Sequence, residues 1–241
     1  MTTRWVVDPE ANDTLWREIS EMPLRLVDGP RRWVADLGGG NGNFVAPLAA
    51  NASRLVSVDV DLPALRGARE RDVRAVAGTA LALPLRQGSL DAMAGRAVLH
   101  HVPDELEATI AEVSRVVKPG GLVLFQEPTS GNRLANVARH RFPTERHDPH
   151  ERPLPSEAYV EAIRRHFQIL DVRPYFLFSY LLPHLVARLP PNRRPFGRAV
   201  TRVLFRLDER LLASLPGLRS RAAYISILAR RPTEETARES G

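Results

Sequence analysis

Short apolar runs recur along the chain and alternate with stretches whose apolar residues have helical spacing. Glycine, proline or acidic residues bound most of the runs, which is typical of the buried strands of a parallel sheet. The stretches between them predict helices that connect one parallel strand to the next. The predicted strands are 33–37, 54–58, 73–77, 90–95, 122–126, 168–178, which is one strand or a pair of short strands, and 222–230. The pattern therefore predicts an α/β domain.

The first predicted helix precedes the first strand, at 12–27. Leu15, Trp16 and Ile19 lie at helical spacing in it, and Asn12 or Asp13 is placed to cap it. This helix covers either the ligand crevice or an edge of the sheet. The other predicted helices are 43–51, a stretch beginning at Pro63, a stretch ending at Val117, 155–166, 180–189 and 196–212.

A glycine-rich turn, in the sequence WVADLGGGNGNF of residues 33–44, joins the first strand to the start of the next predicted helix. Its four glycines let the chain bend tightly and let a ligand approach the backbone. Asp36 lies at the carboxyl end of the strand, the edge of an open α/β sheet at which ligands bind. The turn is predicted to hold a cofactor. The alternative is a glycine turn that only packs a helix on a strand.

Glycine spacing distinguishes two classes of cofactor that use such a turn. Dinucleotide-binding turns have the spacing G-x-G-x-x-G, and counting from Gly38 places Asn43 where the third glycine is required. The dinucleotide fingerprint is therefore absent. The spacing present is acid-x-G-x-G-x-G, from Asp36 to Gly42.

Two later motifs accompany this spacing: LHHVPD at 99–104, and a KPGG turn at 118–121 before an apolar strand that ends in EP. On these motifs residues 33–128 resemble the class I S-adenosylmethionine-dependent methyltransferases, and among them the branch that acts on small molecules. The resemblance implies a Rossmann-like, doubly wound, mostly parallel seven-stranded sheet. It also implies helices on both faces and a helical or lid insertion before the last strand.

The resemblance implies S-adenosylmethionine as the cofactor, with its methionine moiety at the glycine turn. Asp59 lies 21 residues beyond Gly38, close to the spacing of an acid that accepts hydrogen bonds from ribose hydroxyls. Gly78 to Ala80 are expected near the adenine. The predicted cofactor-binding residues are Asp36, Gly38, Gly39, Gly40, Gly42, Asp59, Val60, Gly78, Thr79, Ala80 and Arg96.

Thr79 departs from the family pattern. The family commonly has an aspartate here, which accepts a hydrogen bond from the adenine amino group. A threonine hydroxyl accepts without charge assistance, so a bond of about 1.5–3 kcal/mol falls to about 0.5–1.5 kcal/mol. Weaker selection for adenine is expected.

Methyl transfer from a sulfonium is an in-line displacement that depends on positioning and needs no covalent enzyme intermediate. A base helps when the acceptor is a hydroxyl or an ammonium, and histidine is suited to that role. The candidate catalytic residues are His100 and His101, which follow the fourth strand, and His150 on a predicted lid loop. Glu127, at the end of the fifth strand, holds the acceptor or caps a turn. No metal-ligand spacing is visible, so no metal site is predicted.

The chain length of 241 residues fits one domain. Its expected regions are an N-terminal cap helix in 1–32, a cofactor-binding core at 33–128, a lid and substrate-binding region at 129–220, the last strand at 221–231 and a disordered tail at 232–241. The chain has no cysteine, which excludes disulfides and thiolate metal sites. No apolar run reaches the roughly 18 residues of a membrane span, and no signal-peptide core is present, so a cytoplasmic protein is expected.

The net charge of +6 is concentrated in residues 185–221, where nine arginines oppose two acidic residues. The predicted helix 196–212 in this segment is basic and amphipathic. Its expected apolar face is Val200, Val203, Leu204, Leu207 and Leu211. The arginine face is either a solvated surface or a surface for anionic lipid or a phosphorylated substrate, so peripheral membrane contact through 196–212 is one interpretation.

The sequence thus predicts a biosynthetic methyltransferase that acts on a small, apolar or lipid-like organic molecule, with no nucleic-acid partner. Two alternatives stay open. One is an RNA methyltransferase that uses the basic segment as a phosphate track, although the chain lacks a separate RNA-binding module and its basic face is not interleaved with exposed aromatics. The other is a nucleotide-binding protein on the same fold that transfers no methyl group.

Overall fold

A computed structural model of the chain describes residues 6–27, 29, 31–51, 54–141 and 151–233. Seven strands form one sheet. They are β1 (Trp33–Leu37), β2 (Arg54–Asp59), β3 (Arg74–Ala77), β4 (Leu90–Arg96), β5 (Val117–Pro128), β6 (Gln168–Tyr175) and β7 (Tyr224–Arg230). β1, β2 and β4 are almost entirely buried, as expected for short apolar strands covered on both faces.

The strand order is β3-β2-β1-β4-β5-β7-β6. β1 pairs in parallel with β2 on one side and with β4 on the other, so the order reverses between β1 and β4. β7 runs antiparallel to both of its neighbours. The predicted doubly wound, mostly parallel sheet is confirmed, and the reversal places the ligand crevice at the carboxyl ends of β1 and β4.

Helices cover both faces of the sheet. They are α1 (Pro9–Val27), α2 (Leu62–Arg69), α3 (Leu106–Val116), α4 (Arg133–Arg141), α5 (Ser156–Arg164), α6 (Leu182–Ala187) and α7 (Arg194–Ser214). Ile110 of α3 and Tyr159 of α5 are fully buried on one face. Phe44 and Leu48, after β1, pack on the other face with α2. Burying a large apolar side chain of this kind contributes about 1.5–3 kcal/mol.

The N-terminal helix α1 packs against β4 and β5, near the crevice. It begins earlier than the sequence pattern indicates, because the Asp8 carboxylate caps it by accepting a hydrogen bond from the Ala11 N–H at 3.0 Å. The guanidinium of Arg198, on α7, donates to both oxygens of Asp8 at 2.9 and 3.0 Å. This ion pair ties α1 to the segment inserted before β7.

The predicted helix at 43–51 is wrong, since only a 3₁₀ helix forms there, at Ala46–Asn51. The turn continues beyond the glycines, with the Ala46 N–H bonded to the Gly42 carbonyl. Pro47 has no N–H to donate to a preceding turn, which disfavours a regular α-helix in so short a segment.

The predicted apolar face of the basic helix is also wrong. α7 instead buries Gly197, Thr201, Phe205, Asp208 and Leu212. Val203 is 66% exposed and Leu207 43% exposed. The helix is rotated because it turns a carboxylate inward: Asp208 is fully buried and accepts hydrogen bonds from a turn about thirty residues earlier in the chain.

The predicted lid region contains α4, which the sequence pattern did not indicate. Residues 142–150 of that region, and 234–241 of the predicted disordered tail, lie outside the described residues. Among the helices that the structure describes, none is both long enough and apolar enough to cross a membrane.

Asp208→Ala is expected to lower the free energy of unfolding by about 3 kcal/mol or more, because each buried donor left without an acceptor costs about 1–3 kcal/mol. Those donors are the N–H groups of Leu177, Phe178 and Ser179 and the Ser179 hydroxyl. Urea denaturation measures the change. Asp13→Ala, which removes one of the two surface carboxylates paired with Arg17, is the control and is expected to change stability by less than about 1 kcal/mol. Equal losses in the two variants would contradict the buried role of Asp208.

Candidate functional site

The turn after β1 depends on glycines in the left-handed region of backbone space. Gly38, Gly40 and Gly42 have φ values of +63°, +50° and +73°, which other residues rarely adopt. The Gly38 N–H donates to the Val58 carbonyl at 2.8 Å, so the turn starts against the end of β2. The alternating spacing in the sequence therefore corresponds to three positions that require glycine.

Gly39 lets the turn pass close to a buried carboxyl group. A Cβ at this position would lie 2.5 Å from Asp36 Cγ and 2.6 Å from Ser57 Oγ, which no side chain tolerates. Ser57 in turn donates its hydroxyl proton to the Gly40 carbonyl at 3.1 Å. The turn is thus shaped around the Asp36 side chain.

Asp36 is 1% exposed, and its Oδ2 has no hydrogen-bond partner among the described residues. The pKa of this carboxyl is raised to about 8, chiefly by burial. The charge of Arg96 lowers the pKa by a smaller amount, and the charge of Asp59 raises it further. A buried carboxyl without a partner is unfavourable unless a ligand supplies a positive charge or a hydrogen-bond donor. Asp36 is therefore suited to a cationic ligand group at this edge.

Asp59 ends β2 and holds the turn in place. Its Oδ2 accepts from the Gly40 N–H at 2.7 Å and its Oδ1 from the Asp61 N–H at 2.8 Å. A carboxylate has about four acceptor sites, so two backbone donors leave it able to accept from ligand hydroxyls. This geometry supports the predicted ribose role and adds a second role, the support of the glycine turn.

The remaining predicted cofactor residues also lie at carboxyl ends of parallel strands. Val60 follows β2 and is 72% exposed. Gly78 follows β3 and donates its N–H to the Asp59 carbonyl at 3.0 Å, while Ala80 is half-buried. Thr79 Oγ1 accepts from the Leu81 N–H at 3.3 Å, so one of its acceptor positions is already used.

Arg96, the last residue of β4, lies between the glycine turn and the N-terminal helix. Its guanidinium carbon is 4.7 Å from the ring centroid of Phe44, just after the turn, and 5.6 Å from that of Trp16 on α1. Burial lowers the pKa of Arg96, and the neighbouring Asp36 opposes that shift. Arg96 thus places a cation between the predicted cofactor position and the helix above it.

An aromatic group, Trp16, Phe176, Tyr180 and Tyr224, lies next to Arg96. The Trp16 ring is 5.0 Å from Tyr224 and 5.4 Å from Phe176, both edge-on, and Tyr180 is 5.6 Å from Tyr224. Tyr224 also lines a cleft of about 530 Å³ between α5 and the β6–β7 side of the sheet. The sequence did not predict this grouping, because its members come from α1, from the inserted segment and from β7. Two sequence features pointed toward it: the helical position of Trp16 and the richness of residues 175–189 in Leu, Tyr and Phe, which favours an apolar acceptor.

His100 lies between two carboxylates. Its Nδ1 is 3.0 Å from Glu127 Oε2 and its Nε2 is 3.2 Å from Glu151 Oε1. Burial lowers its pKa, but the hydrogen bonds and charges of both glutamates outweigh burial and raise the pKa of His100 to about 9. Glu127 Oε1 also accepts from the N–H groups of Val98 and Leu99 at 2.9 and 3.0 Å, so Glu127 acts as a cap for the loop after β4.

The other two histidine candidates differ in what the structure describes. His101 is half-buried, with its ring 4.3 Å from the ring of His100. His150 lies outside the described residues. His100, His101 and Glu151 have potential metal-ligating atoms within 4.8 Å of one another, a grouping that the sequence did not predict. The two hydrogen bonds of His100 account for its arrangement with the glutamates without an ion.

Comparison with known proteins gives matches to the core of this fold. Residues 35–125 match a family model described as a methyltransferase domain. A demethylmenaquinone methyltransferase from Corynebacterium kroppenstedtii is 38% identical over 109 residues, 45% of this chain and 46% of that protein. One from Mycobacterium sp. (strain KMS) is 37% identical over 122 residues, 50% of this chain and 52% of that protein. The matched region therefore spans about half the length of these curated relatives.

Solved structures share the fold at lower identity. The cyclase SpnF has a TM-score of 0.62 and 20% identity, over 90% of this chain and 80% of that chain. The geranyl diphosphate C-methyltransferase of Streptomyces coelicolor A3(2), solved with Mg²⁺, geranyl diphosphate and S-adenosyl-L-homocysteine, has a TM-score of 0.59 and 17% identity, over 90% and 79%. These likenesses concern the architecture.

The raised pKa of Asp36 is expected to make stability depend on pH. In the unfolded chain this carboxyl ionises near its usual pKa of about 3.9, whereas the folded protein keeps its proton up to about pH 8. Between these values the native state binds more protons, so the free energy of unfolding falls as pH rises, by at most about 1.4 kcal/mol per pH unit. Asp36→Asn is expected to remove this part of the slope. Denaturant unfolding of both proteins from about pH 5 to pH 8 measures it, and identical slopes would show that Asp36 is not the group responsible.

Proposed function

Because the chain belongs to the class I S-adenosylmethionine-dependent methyltransferases, we propose that it transfers the methyl group of that cofactor to a small, apolar or lipid-like organic molecule. The observation that carries the proposal is the glycine turn around Asp36: a close backbone approach beside a buried carboxyl oxygen that lacks a partner among the described residues. That arrangement suits a ligand with a positive charge and hydrogen-bond donors.

The residues at the crevice fit the cofactor. Asp36 and the turn from Gly38 to Gly42 would hold the methionine moiety, and Asp59 would accept from the ribose hydroxyls. Thr79, with Gly78 and Ala80, would border the adenine. When bound, the cofactor supplies an electrophilic methyl group on a sulfonium. The contribution of this chain is to orient the two reactants and to exclude water, because an aligned approach of about 3–3.5 Å can supply about 7–11 kcal/mol of the barrier.

The acceptor is proposed to lie under α1, on the far side of Arg96 from the glycine turn. Trp16, Tyr180 and Tyr224 of the aromatic group are only partly buried, over the buried ring of Phe176, and such ring surfaces suit a planar or lipid-like molecule. The names of the matched relatives, demethylmenaquinone methyltransferases, support the same class of acceptor. Residues 129–220, which contribute Phe176 and Tyr180, are proposed as the substrate-binding region.

Where a base is needed, His101 is proposed in preference to His100. A histidine whose pKa is raised to about 9 carries its proton at neutral pH and is not free to accept another. His100 is better suited to a structural role. It connects the loop that follows β4 to Glu151, which begins the described segment after residue 150. The backbone supports this role, because the Arg152 N–H donates to the His100 carbonyl at 2.9 Å.

Several arginines of the basic segment are bound within the protein, which weakens the RNA alternative, although Arg202 and Arg206 are exposed. Arg198 is paired with Asp8 and Glu10, and Arg194 and Arg219 donate to backbone carbonyls within the segment. Arginines that are bound internally are poorly placed to neutralise a run of phosphates.

Peripheral membrane contact is proposed through α7. The sequence indicated the arginine face of this helix, whereas the surface proposed here is an exposed apolar stripe beside arginines. Phe196, Val203 and Leu207 are 74%, 66% and 43% exposed, and lie at roughly helical spacing along one side. Arg202 and Arg206, both exposed, adjoin them. An exposed apolar stripe beside arginines is suited to an anionic lipid surface, where a lipid-like acceptor would also be found.

Methyl uptake tests the proposed function. The purified protein is incubated with methyl-labelled S-adenosylmethionine and, in separate reactions, with demethylmenaquinone that has been chemically reduced to its quinol, with a mixed lipid extract and with transfer RNA. Label is expected in an apolar organic product, and Gly39→Val, which fills the space beside Asp36, should abolish it. Label in RNA would favour the RNA alternative. Tight binding of S-adenosylhomocysteine with no label in any pool would favour the alternative of a protein that transfers no methyl group.

Asp59→Asn is expected to weaken the binding of S-adenosylhomocysteine about tenfold to a hundredfold, because a charge-assisted hydrogen bond is worth about 1.5–3 kcal/mol. Calorimetry measures the affinity. Asp61→Asn is the matched control, since Asp61 caps α2 two residues away and is exposed. Equal losses in the two variants would refute the specific role of Asp59.

Val203→Asp is expected to reduce co-sedimentation with phosphatidylglycerol vesicles at least severalfold, because it places a negative charge in the apolar stripe. Leu170→Asp, at an exposed position on the edge strand β6, is the control and should bind as the wild type does. Phosphatidylcholine vesicles should bind weakly in every case. If Val203→Asp sediments like the wild type, α7 is not the membrane-contacting surface.

A further inference from the structure

Gln126 is a second buried side chain at the carboxyl edge with an unpaired polar atom. It lies near the end of β5 and is 1% exposed. Its Nε2 donates to the backbone carbonyl of Ile19, in α1, at 2.9 Å, whereas its Oε1 has no partner among the described residues. The bond to Ile19 fixes which end of the amide is the donor. The acceptor end is therefore left for another group, and buried acceptors are rarely left unpaired.

The register of the sheet places this atom on the face that carries the cofactor residues. Gln126 is paired with Arg96 on β4 and with Ser226 on β7. Asp36 is paired with Ala94, two residues before Arg96. Because paired residues and alternate residues share a face, Asp36, Arg96 and Gln126 lie on the same side of the sheet. Two oxygens without partners among the described residues thus flank one arginine across three neighbouring strands.

The surroundings of Gln126 differ from those of Asp36. Trp16 lies one turn before Ile19 on α1, and its ring is 5.0 Å from Tyr224 and 5.6 Å from the guanidinium carbon of Arg96. Phe44, on the side of the glycine turn, is 4.7 Å from the same guanidinium carbon. Gln126 is thus on the aromatic side of Arg96, and Asp36 is on the cofactor side.

We propose that Gln126 recognises the methyl acceptor by accepting a hydrogen bond from an aromatic hydroxyl group, with the ring of the acceptor against Trp16 and Tyr224. The proposal rests on the proposed function and narrows it to one substrate class, planar aryl alcohols. An amide oxygen only accepts, so the group that it meets must donate. A hydroxyl oxygen can donate to Gln126 and also accept from the neighbouring Arg96 cation, whereas a cationic amine beside that arginine is disfavoured. Arg96 would also stabilise the negative charge that develops on the oxygen as its proton passes to the proposed base, His101.

The wild-type protein provides the first test, with 1-naphthol and 1-methoxynaphthalene as probes that differ in the donor proton. Binding is followed by calorimetry and by the indole N–H resonance of Trp16, assigned with Trp16→Phe. The alcohol is expected to bind about tenfold more tightly than the ether and to shift the Trp16 resonance, because a buried acceptor left unpaired is costly. Equal binding of the two probes, or binding of neither, would overturn the proposal.

Gln126→Met provides the second test, since it keeps the length of the side chain and removes the amide. It is expected to lose the preference for the alcohol while binding S-adenosylhomocysteine as tightly as the wild type. Gln168→Met, at an exposed position at the start of β6, is the matched control and should keep the preference. A preference that survives in Gln126→Met overturns the proposal. Failure of the wild type to bind S-adenosylhomocysteine would instead count against the proposed function. The two measurements therefore distinguish failure of the Gln126 proposal from failure of the proposed function.

Discussion

The buried carboxyl of Asp36 is the constraint on which the rest of the site depends. It is placed by a central strand with partners on both sides, it excludes a side chain at Gly39, and its Oδ2 has no partner among the described residues. An apolar sheet would be more stable with an apolar residue here, so the carboxyl is best explained by a ligand. Asp59 and Arg96, at the ends of the two neighbouring strands, are arranged around the same point.

The fold brings these groups together through strand direction alone. Parallel strands end at one edge, so side chains from distant parts of the sequence become neighbours there. The second layer of the site has a different origin. α1 is held over the edge by the pair of Asp8 with Arg198 and by the bond from Gln126 to Ile19, both of which join residues more than a hundred positions apart. Cofactor and acceptor are thus proposed to meet between a rigid sheet and a helix fixed by long-range polar contacts.

The sequence was sufficient for the features that depend on local pattern. The first four strands lie within one residue of the bounds predicted from the apolar runs, and the three left-handed glycines follow from their spacing. β5 differs, because it begins at Val117 and includes the KPGG segment that was predicted as a turn. The sequence alone did not predict features that depend on a partner distant in the chain. The rotation of α7 depends on Asp208 binding amides near residue 178, and the raised pKa of His100 depends on Glu127 and Glu151. No periodicity in α7 or around His100 encodes those partners. The cofactor-binding residues remain predictions, which the geometry of the turn supports.

A crystal structure of the complex with S-adenosylhomocysteine tests the central claim most directly. We predict the methionine moiety against the backbone from Gly38 to Gly42, with a donor group facing Asp36 Oδ2, and both ribose hydroxyls on Asp59. Ligand density at another edge of the sheet, or a ribose held by a residue other than Asp59, would contradict the claim.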